Sequence, residues 1–261
     1  MLCTGRHDEA REIIASYARL ILDGLIPNRI VEGTGGCEYN TVDGSLLYLN
    51  AVDRYLKKTE DTDLLKSLFP LIEAVIQKYR KGTRFGIGMD PQDKLIHAGE
   101  PGLQLTWMDA KVGNWVVTPR MGKPVEVNAL WHHVLRRAAS WAEALGVKRD
   151  YANLAEKVHD NFNRRFWYSE GGFLYDVIDT EHGPDPSLRP NQIMAVSLDS
   201  PLISRERAVR VMDLIRQKLL TPFGLRSLNP DHPAYRKRYE GGPWERDSAY
   251  HQGTVWAWLI G

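Results

Sequence analysis

The spacing of hydrophobic residues predicts a mainly helical chain. In residues 9–24, Ile14, Tyr17 and Ile21 recur at the three- and four-residue spacing of an amphipathic helix, which Gly24 ends. The same pattern predicts further helices over residues 41–58, 62–81 with a kink or break at Pro70, 124–145, 149–167, 192–198, 205–219, and from about residue 250 onward. About eight helices result, each with a boundary error of a few residues.

Two long segments between these helices, residues 82–113 and 222–247, are irregular and rich in glycine and proline. Residues 171–176 have the pattern of a short strand after a turn. Unstructured loops longer than about 12–15 residues usually carry function. Long loops at one end of helical hairpins are how a helical toroid builds a pocket. A closed ring of six hairpins needs more helices than these, so the pattern favours one partial catalytic domain over residues 1–261, lacking helices at both ends.

Composition and charge narrow the class of protein. Hydrophobic residues make up 43% of the chain, charged residues 26%, and the net charge is +1. This balance excludes binding to nucleic acid by general charge, and no apolar run approaches the roughly 20 residues of a membrane span. Cys3 and Cys37 are too few for a disulfide scaffold or a structural zinc site. We therefore expect a cytoplasmic protein without nucleic-acid or membrane partners.

The aromatic residues suggest a ligand class. The chain has 8 Trp and 11 Tyr against 6 Phe. Such amphipathic rings suit sugar-binding clefts, because the ring face packs on C–H groups while the polar edge meets hydroxyls. Core packing explains the same composition equally well.

Asp109 is the first candidate for chemistry. It follows Trp107 and Met108, and a carboxyl group beside an indole ring can lose hydration, which suits a proton donor. Pairing with Lys111 is the simpler structural explanation. In residues 38–45, Asp43 beside Tyr39 marks either a site or the capped start of a helix.

Two further segments concentrate polar side chains. In residues 117–131, Arg120, Glu126 and Asn128 suit either hydroxyl recognition or turn and helix-start chemistry. Residues 240–256 pack three carboxylates with two Trp, Tyr, His and Gln into a glycine-rich loop, a set that favours ligand contact. No HExxH, paired CxxC, GxSxG or phosphate-binding loop is present, so neither a metal nor a cofactor is predicted.

Five motifs in register resemble the amylo-alpha-1,6-glucosidase family, the glucosidase domain of glycogen debranching enzymes. They are Tyr39-Asn40-Thr41-Val42-Asp43, Thr106-Trp107-Met108-Asp109, Thr118-Pro119-Arg120 with Pro124-Val125-Glu126-Val127-Asn128-Ala129-Leu130, Arg189-Pro190-Asn191-Gln192 and Tyr250-His251-Gln252-Gly253-Thr254-Val255-Trp256. The resemblance implies an (α/α)6 toroid and inverting hydrolysis of the α-1,6-linked glucose at branch points of glycogen or limit dextrin. Asp109 is then the general acid.

The resemblance assigns the general base less directly than the acid. In eukaryotic debranching enzymes it is a Glu within a His-Gln-Gly-Pro-Glu-Trp run, and Val255 holds that place here. The Thr-Val form is similar to the bacterial and archaeal branch of the family. The base therefore comes from elsewhere in the chain or from beyond residue 261. Glu245 is our first candidate, with Glu240 and Asp247 as alternatives.

The resemblance also implies sugar contacts and a branched α-glucan as partner. The implied substrate-binding residues are Tyr39, Asp43, Trp107, Arg120, Glu126, Asn128, Asn191, Trp244, Tyr250, His251, Gln252 and Trp256. Two alternatives stay open: another hydrolase on the same toroid, such as a trehalase-like, glucoamylase-like or mannosyl hydrolase, or a non-catalytic glucan-binding fragment. No oligomeric state is predicted.

Overall fold

The computed structural model describes residues 1–33 and 35–260. Eight α-helices occur in this part of the chain: α1 His7–Ala18, α2 Gly44–Thr59, α3 Thr62–Lys81, α4 Val125–Ala144, α5 Tyr151–Arg165, α6 Met194–Ser197, α7 Arg205–Lys218 and α8 Pro243–Ala249. The predicted all-α class is confirmed.

Short antiparallel strands connect the helices. They are β1 Arg29–Ile30, β2 Cys37–Glu38, β3 Gly88–Met89, β4 Ile96–His97, β5 Lys111–Val112, β6 Trp115–Val116, β7 Lys123–Pro124, β8 Trp167–Tyr168, β9 Phe173–Leu174, β10 Val177–Thr180, β11 Gly183–Asp185, β12 Leu220–Thr221, β13 Gly224–Arg226 and β14 Val255–Trp256. Strands β11, β10 and β7 form one three-stranded sheet and β12, β13 and β14 form another. The other strands pair as two-stranded ribbons.

Helix α4 is the centre of the fold. Its buried residues occupy most of its circumference, and it packs against α2, α3, α5 and α6. The main hydrophobic core includes residues from Ala10 in α1 to Leu202. A smaller core lies between α7 and β13. No helix in the described part of the chain is long and apolar enough to cross a membrane.

The predicted end of the first helix is wrong, and the break considered at Pro70 does not occur. Helix α1 ends at Ala18, after which the N–H groups of residues 19–21 bond to carbonyls only three residues back. Leu22 and Leu25 then bridge a turn in which Asp23 and Gly24 have positive φ angles. Helix α3 continues through Pro70 without a break. Pro70 is exposed, so water can satisfy the carbonyl that its missing N–H leaves free.

The predicted helix from about residue 250 is also wrong. The helix lies earlier, as α8, with Gly242 before it and Pro243 at its first position. Gly253 stops any continuation: its φ is +145°, and a Cβ there would lie 2.2 Å from the Arg236 carbonyl oxygen. The chain then pairs as β14 and ends its described part in a 3₁₀ turn, Ala257–Ile260.

Candidate active site

Asp43 holds the backbone just before the candidate acid. Its buried carboxylate accepts hydrogen bonds from the Trp107 N–H at 2.8 Å and from the Thr41 hydroxyl at 2.7 Å. Burial raises the pKa of Asp43, and these two hydrogen bonds act in the opposite direction. The N–H of Val42 also donates to the Leu105 carbonyl, at 2.7 Å. The start of α2 therefore fixes the segment that leads to Asp109.

Asn191 fixes the indole of Trp107. The Trp107 Nε1–H donates to Asn191 Oδ1 at 2.8 Å, and Asn191 Nδ2 donates to Asp176 Oδ1 at 2.7 Å. Asn191 and Asp176 are both buried. This chain of hydrogen bonds sets the orientation of the ring.

A buried ion network lies behind Asn191. The Arg120 guanidinium binds the Glu126 carboxylate with two nitrogens and donates through Nε to Asp176 at 2.8 Å. Arg189 Nε is 3.7 Å from the same Asp176 carboxylate. Burial opposes the charge on Arg120, but the carboxylates of Asp176 and Glu126 raise its pKa. Two cations and two anions thus balance, which is the condition under which buried charges are tolerated.

Asp109 is accessible to a ligand. Its side chain is 46% exposed, and its Oδ1 is 3.4 Å from Nε2 of His251. Lys111 does not pair with it and instead donates to the Gly102 carbonyl at 2.9 Å. The carboxyl group therefore loses only part of its hydration.

Aromatic rings surround the contact between Asp109 and His251. Trp107 meets His251, Trp256 and Trp258 edge to face, with ring centroids 5.1, 5.7 and 5.1 Å apart. Trp256 is fixed by its β14 pairing with Leu225 and by an Nε1–H bond to the Tyr250 carbonyl at 3.2 Å. The site therefore offers one polar carboxyl group beside several rigid ring faces.

A second pair of rings is exposed on the neighbouring surface. Trp115, in the β5–β6 ribbon, and Trp244, in the first turn of α8, have ring centroids 5.6 Å apart and planes inclined by 33°. Their exposed fractions are 42% and 57%. Strand β5 begins two residues after Asp109, so Trp115 lies on the ribbon that continues from the candidate acid, and Trp244 meets it from α8.

The candidate base residues differ in environment. Glu245 is exposed in the first turn of α8, with its side chain folded against Gly241 and Gly242. Asp247 is half-buried. Burial, Tyr239, Asp109 and Asp247 all raise the pKa of Tyr250. Asp109 and Asp247 therefore both lie within electrostatic reach of one phenol.

The sequence matches the family described as amylo-alpha-1,6-glucosidase over residues 1–261. The chain belongs to this family. It is a glycoside hydrolase-type domain related to glycogen debranching enzyme.

The curated relatives of this chain are longer than the chain itself. The chain is 25% identical over 351 aligned positions to the glycogen debranching enzyme of Saccharomyces cerevisiae, and the alignment covers all of this chain and 23% of the yeast protein. It is also 25% identical to a solabiose phosphorylase of Paenibacillus borealis, covering 81% of this chain and 29% of that enzyme. The chain thus spans about a quarter of the length of these curated relatives.

Solved structures share the fold at low identity. A GH63 mannosylglycerate hydrolase from Thermus thermophilus superposes with a TM-score of 0.72 at 14% identity, covering 98% of this chain and 75% of that one. A rhamnosidase from Klebsiella oxytoca gives 0.54 at 15% identity, covering 82% and 38%. The helix-rich fold of this glucosidase-family chain is therefore that of the (α/α)6 glycosidases.

Several residues predicted to contact sugar use their polar atoms for hydrogen bonds within the protein. Asn128 is fully buried, accepting from the Ile96 N–H and donating to the Ile96 and Pro124 carbonyls, so its amide supports β4. The Tyr39 hydroxyl donates to the Leu20 carbonyl, with Arg84 over the ring. These contacts explain both side chains without a ligand.

Four other predicted contacts belong to the buried support. Gln252 accepts from Arg189 and donates to the Val117 carbonyl. Arg120, Glu126 and Asn191 use their polar atoms for hydrogen bonds within the buried network described above. The structure thus brings Asp109, Trp107, Tyr250, His251 and Trp256 together, with Asp43 behind them and Trp244 in the outer pair.

The sequence does not predict four residues of the site, which are Asp176, Arg189, Trp115 and Trp258. Asp176 follows a short strand and carries no local signature of an ion-pair centre. Arg189 stands in a matched motif, but only the fold shows that it donates to the carbonyls of Ser227 and His251. The excess of Trp was the one available signal for the two indoles.

One cluster of three carboxylates has the spacing of a metal site among the described residues. It comprises Asp90, Asp93 and Asp179. The Lys123 ammonium lies 2.7, 2.7 and 2.8 Å from these carboxylates and is itself buried. It takes the position that a cation would occupy, so we assign no metal there.

Proposed function

We propose that this chain supplies the acid-catalyst part of a site that hydrolyses α-1,6-linked glucose on a branched α-glucan, with inversion at the anomeric carbon. The observation that carries the proposal is the half-exposed Asp109 carboxyl beside the fixed ring of Trp107. Family membership supplies the reaction class. An accessible carboxyl group beside aromatic rings suits the general acid, which is one of the two carboxyl groups that an inverting glucosidase needs.

In this mechanism Asp109 gives its proton to the oxygen that links glucose to the glucan chain. The bond between that oxygen and the anomeric carbon breaks as water attacks from the opposite face. A second carboxylate removes a proton from the attacking water, and the two carboxyl groups of such enzymes lie about 6.5–9.5 Å apart. The products are free glucose of inverted configuration and the shortened glucan.

The direct test is glucose release from a phosphorylase limit dextrin, run beside trehalose and maltotriose. We expect glucose from the dextrin at the highest rate. Faster release from trehalose or maltotriose would assign the chain to another activity on the same fold. Tight binding of the dextrin without any hydrolysis would favour a glucan-binding role.

Phosphorolysis is a second candidate, favoured by Val255. A phosphorylase uses inorganic phosphate in place of water, so it does not require a carboxylate to activate the nucleophile. Two of the relatives are phosphorylases, one for solabiose and one for N,N'-diacetylchitobiose. Glucose 1-phosphate formed only when phosphate is added would favour this reaction over hydrolysis.

The base is expected among Glu245, Glu240 and Asp247, and removing it should affect every substrate. We predict that Glu245→Gln or Asp247→Asn lowers kcat about 10²–10⁴-fold on both the dextrin and α-glucosyl fluoride, because water needs a base in each reaction. Glu240→Gln tests the remaining candidate in the same loop, and Glu156→Gln, which changes an exposed carboxylate of α5, is the control. If none of the three variants slows the fluoride reaction, the base is another group.

The outer rings are expected to bind the glucan chain beyond the cleaved bond. We predict that Trp244→Ala or Trp115→Ala raises KM for limit dextrin about 10-fold, since a sugar stacked on an exposed indole loses contact area worth about 1–1.5 kcal/mol. KM for α-glucosyl fluoride should stay unchanged. Phe223→Ala, which removes an exposed ring from the β12–β13 turn, is the control, and an equal effect there would contradict the assignment.

A further inference from the structure

His251 is held by its surroundings in a way that a simple sugar contact does not require. Its side chain is 1% exposed, and its ring stacks on Trp256 with centroids 5.2 Å apart and planes inclined by 19°. Trp107 and Tyr250 meet its edges at 5.1 and 4.8 Å. Its carbonyl accepts from Arg189 at 2.8 Å. The imidazole therefore has little freedom to rotate.

The two ring nitrogens of His251 have different environments. Nε2 faces Asp109 Oδ1 at 3.4 Å, whereas Nδ1 is buried and has no hydrogen-bond partner among the described residues. Burial lowers the pKa of His251, opposed by Asp109 and reinforced by Arg189 and Arg120, which favours the neutral form of the ring. A neutral imidazole has one N–H, and at Nε2 that N–H has an acceptor. At Nδ1 it has none.

We propose that His251 is a positioning residue for the general acid: its Nε2–H holds Oδ1 of Asp109, so that Oδ2 carries the proton given to the leaving oxygen. This inference rests on the proposed function, because it takes Asp109 as the acid. A half-exposed carboxyl group otherwise rotates and shares its proton between both oxygens. The stack with Trp256 fixes the orientation of the His251 ring, and the fixed Nε2–H then sets the orientation of the Asp109 carboxyl group and of its proton.

Two substitutions of His251 test the roles of its N–H and of its aromatic ring separately. His251→Phe keeps an aromatic ring for the stack on Trp256 but removes the N–H. His251→Gln removes the ring but returns an N–H at a similar reach. We expect His251→Phe to lower kcat on limit dextrin about 10–100-fold with little change in KM, the cost of misplacing a catalytic group by about 1 Å. His251→Gln should recover kcat to within about 5-fold of the wild type.

α-Glucosyl fluoride supplies the readout that a structural role would not give. Fluoride leaves without a proton from the enzyme, so a defect confined to the acid disappears on this substrate. We expect His251→Phe to retain kcat on the fluoride within about 3-fold. An unchanged kcat for His251→Phe on dextrin, or equal losses on both substrates, would overturn the proposal.

Nuclear magnetic resonance tests the inference about His251 independently of the proposed function. With ¹⁵N-labelled histidine, the resonances of His251 can be assigned from those lost in His251→Gln among the 8 histidines. We expect a neutral ring protonated at Nε2, whose Nε2 resonance shifts in Asp109→Asn. A proton on Nδ1, or no shift, would overturn the inference even if the wild type hydrolyses dextrin. If the wild type hydrolyses no glucoside, the proposed function fails and this measurement still decides the contact.

Discussion

Asp109→Asn is expected to lower kcat for glucose release from limit dextrin about 10²–10⁴-fold, the usual contribution of a general acid. The amide has nearly the shape of the carboxyl group but no acidic proton for the leaving oxygen. Hydrolysis of α-glucosyl fluoride should change far less, because that leaving group needs no proton. Steady-state kinetics on the two substrates measure the difference.

The fold should be unaffected by this substitution. The Asp109 side chain is 46% exposed, and its polar contact among the described residues is the one with His251. Substitutions at such positions usually change stability by less than about 0.5 kcal/mol. Asp247→Asn, a variant of a candidate base, is the comparison in the kinetics, because loss of the base should slow both substrates. Near-normal turnover of dextrin by Asp109→Asn would refute the assignment of the acid.

Arg120→Met is expected to cause the largest loss of stability. The substitution removes the cation that binds Glu126 and Asp176, two carboxylates with 3% and 1% exposed side chains. Removing the main cation of two buried carboxylates costs about 3–5 kcal/mol. The midpoint of urea unfolding should fall accordingly, and kcat should fall with it, because Asp176 supports Asn191 and hence the Trp107 ring.

Arg136→Met is the control for this prediction. Arg136 pairs with Glu156 on the surface, where both side chains are about half exposed. Exposed ion pairs contribute about 0–1 kcal/mol, so the free energy of unfolding should change little. Equal losses for Arg120→Met and Arg136→Met would contradict the view that the buried network holds the site.

The helices that form the core could be predicted from hydrophobic spacing. Helices α2 and α3 lie where the pattern placed them because each buries a continuous stripe of apolar residues. Helix α8 escaped because it is short and has a single buried residue, Ala249. Its start depends on Gly242 and Pro243, which also suit an irregular loop. Periodicity carries no information about such a segment.

The site could be predicted only in part for a related reason. Asp109 and the rings near residue 251 stand in motifs that local sequence reveals. Their supports do not, because Asp176 meets Arg120 and Asn191 through contacts 56 and 15 residues apart along the chain. A buried polar residue and a ligand-binding one look alike in sequence. The sequence therefore predicts sugar contacts for Asn128 and Gln252, whereas the fold shows both bonded to the protein itself.

The most direct test of the account is proton NMR of the wild-type chain acting on phosphorylase limit dextrin, recorded before the released glucose can mutarotate. The account predicts that the anomeric signal of β-glucose grows first, because water attacks opposite the α-1,6 bond that Asp109 helps to break. Release of α-glucose, or no glucose from this substrate while another glucoside is cleaved, would contradict it.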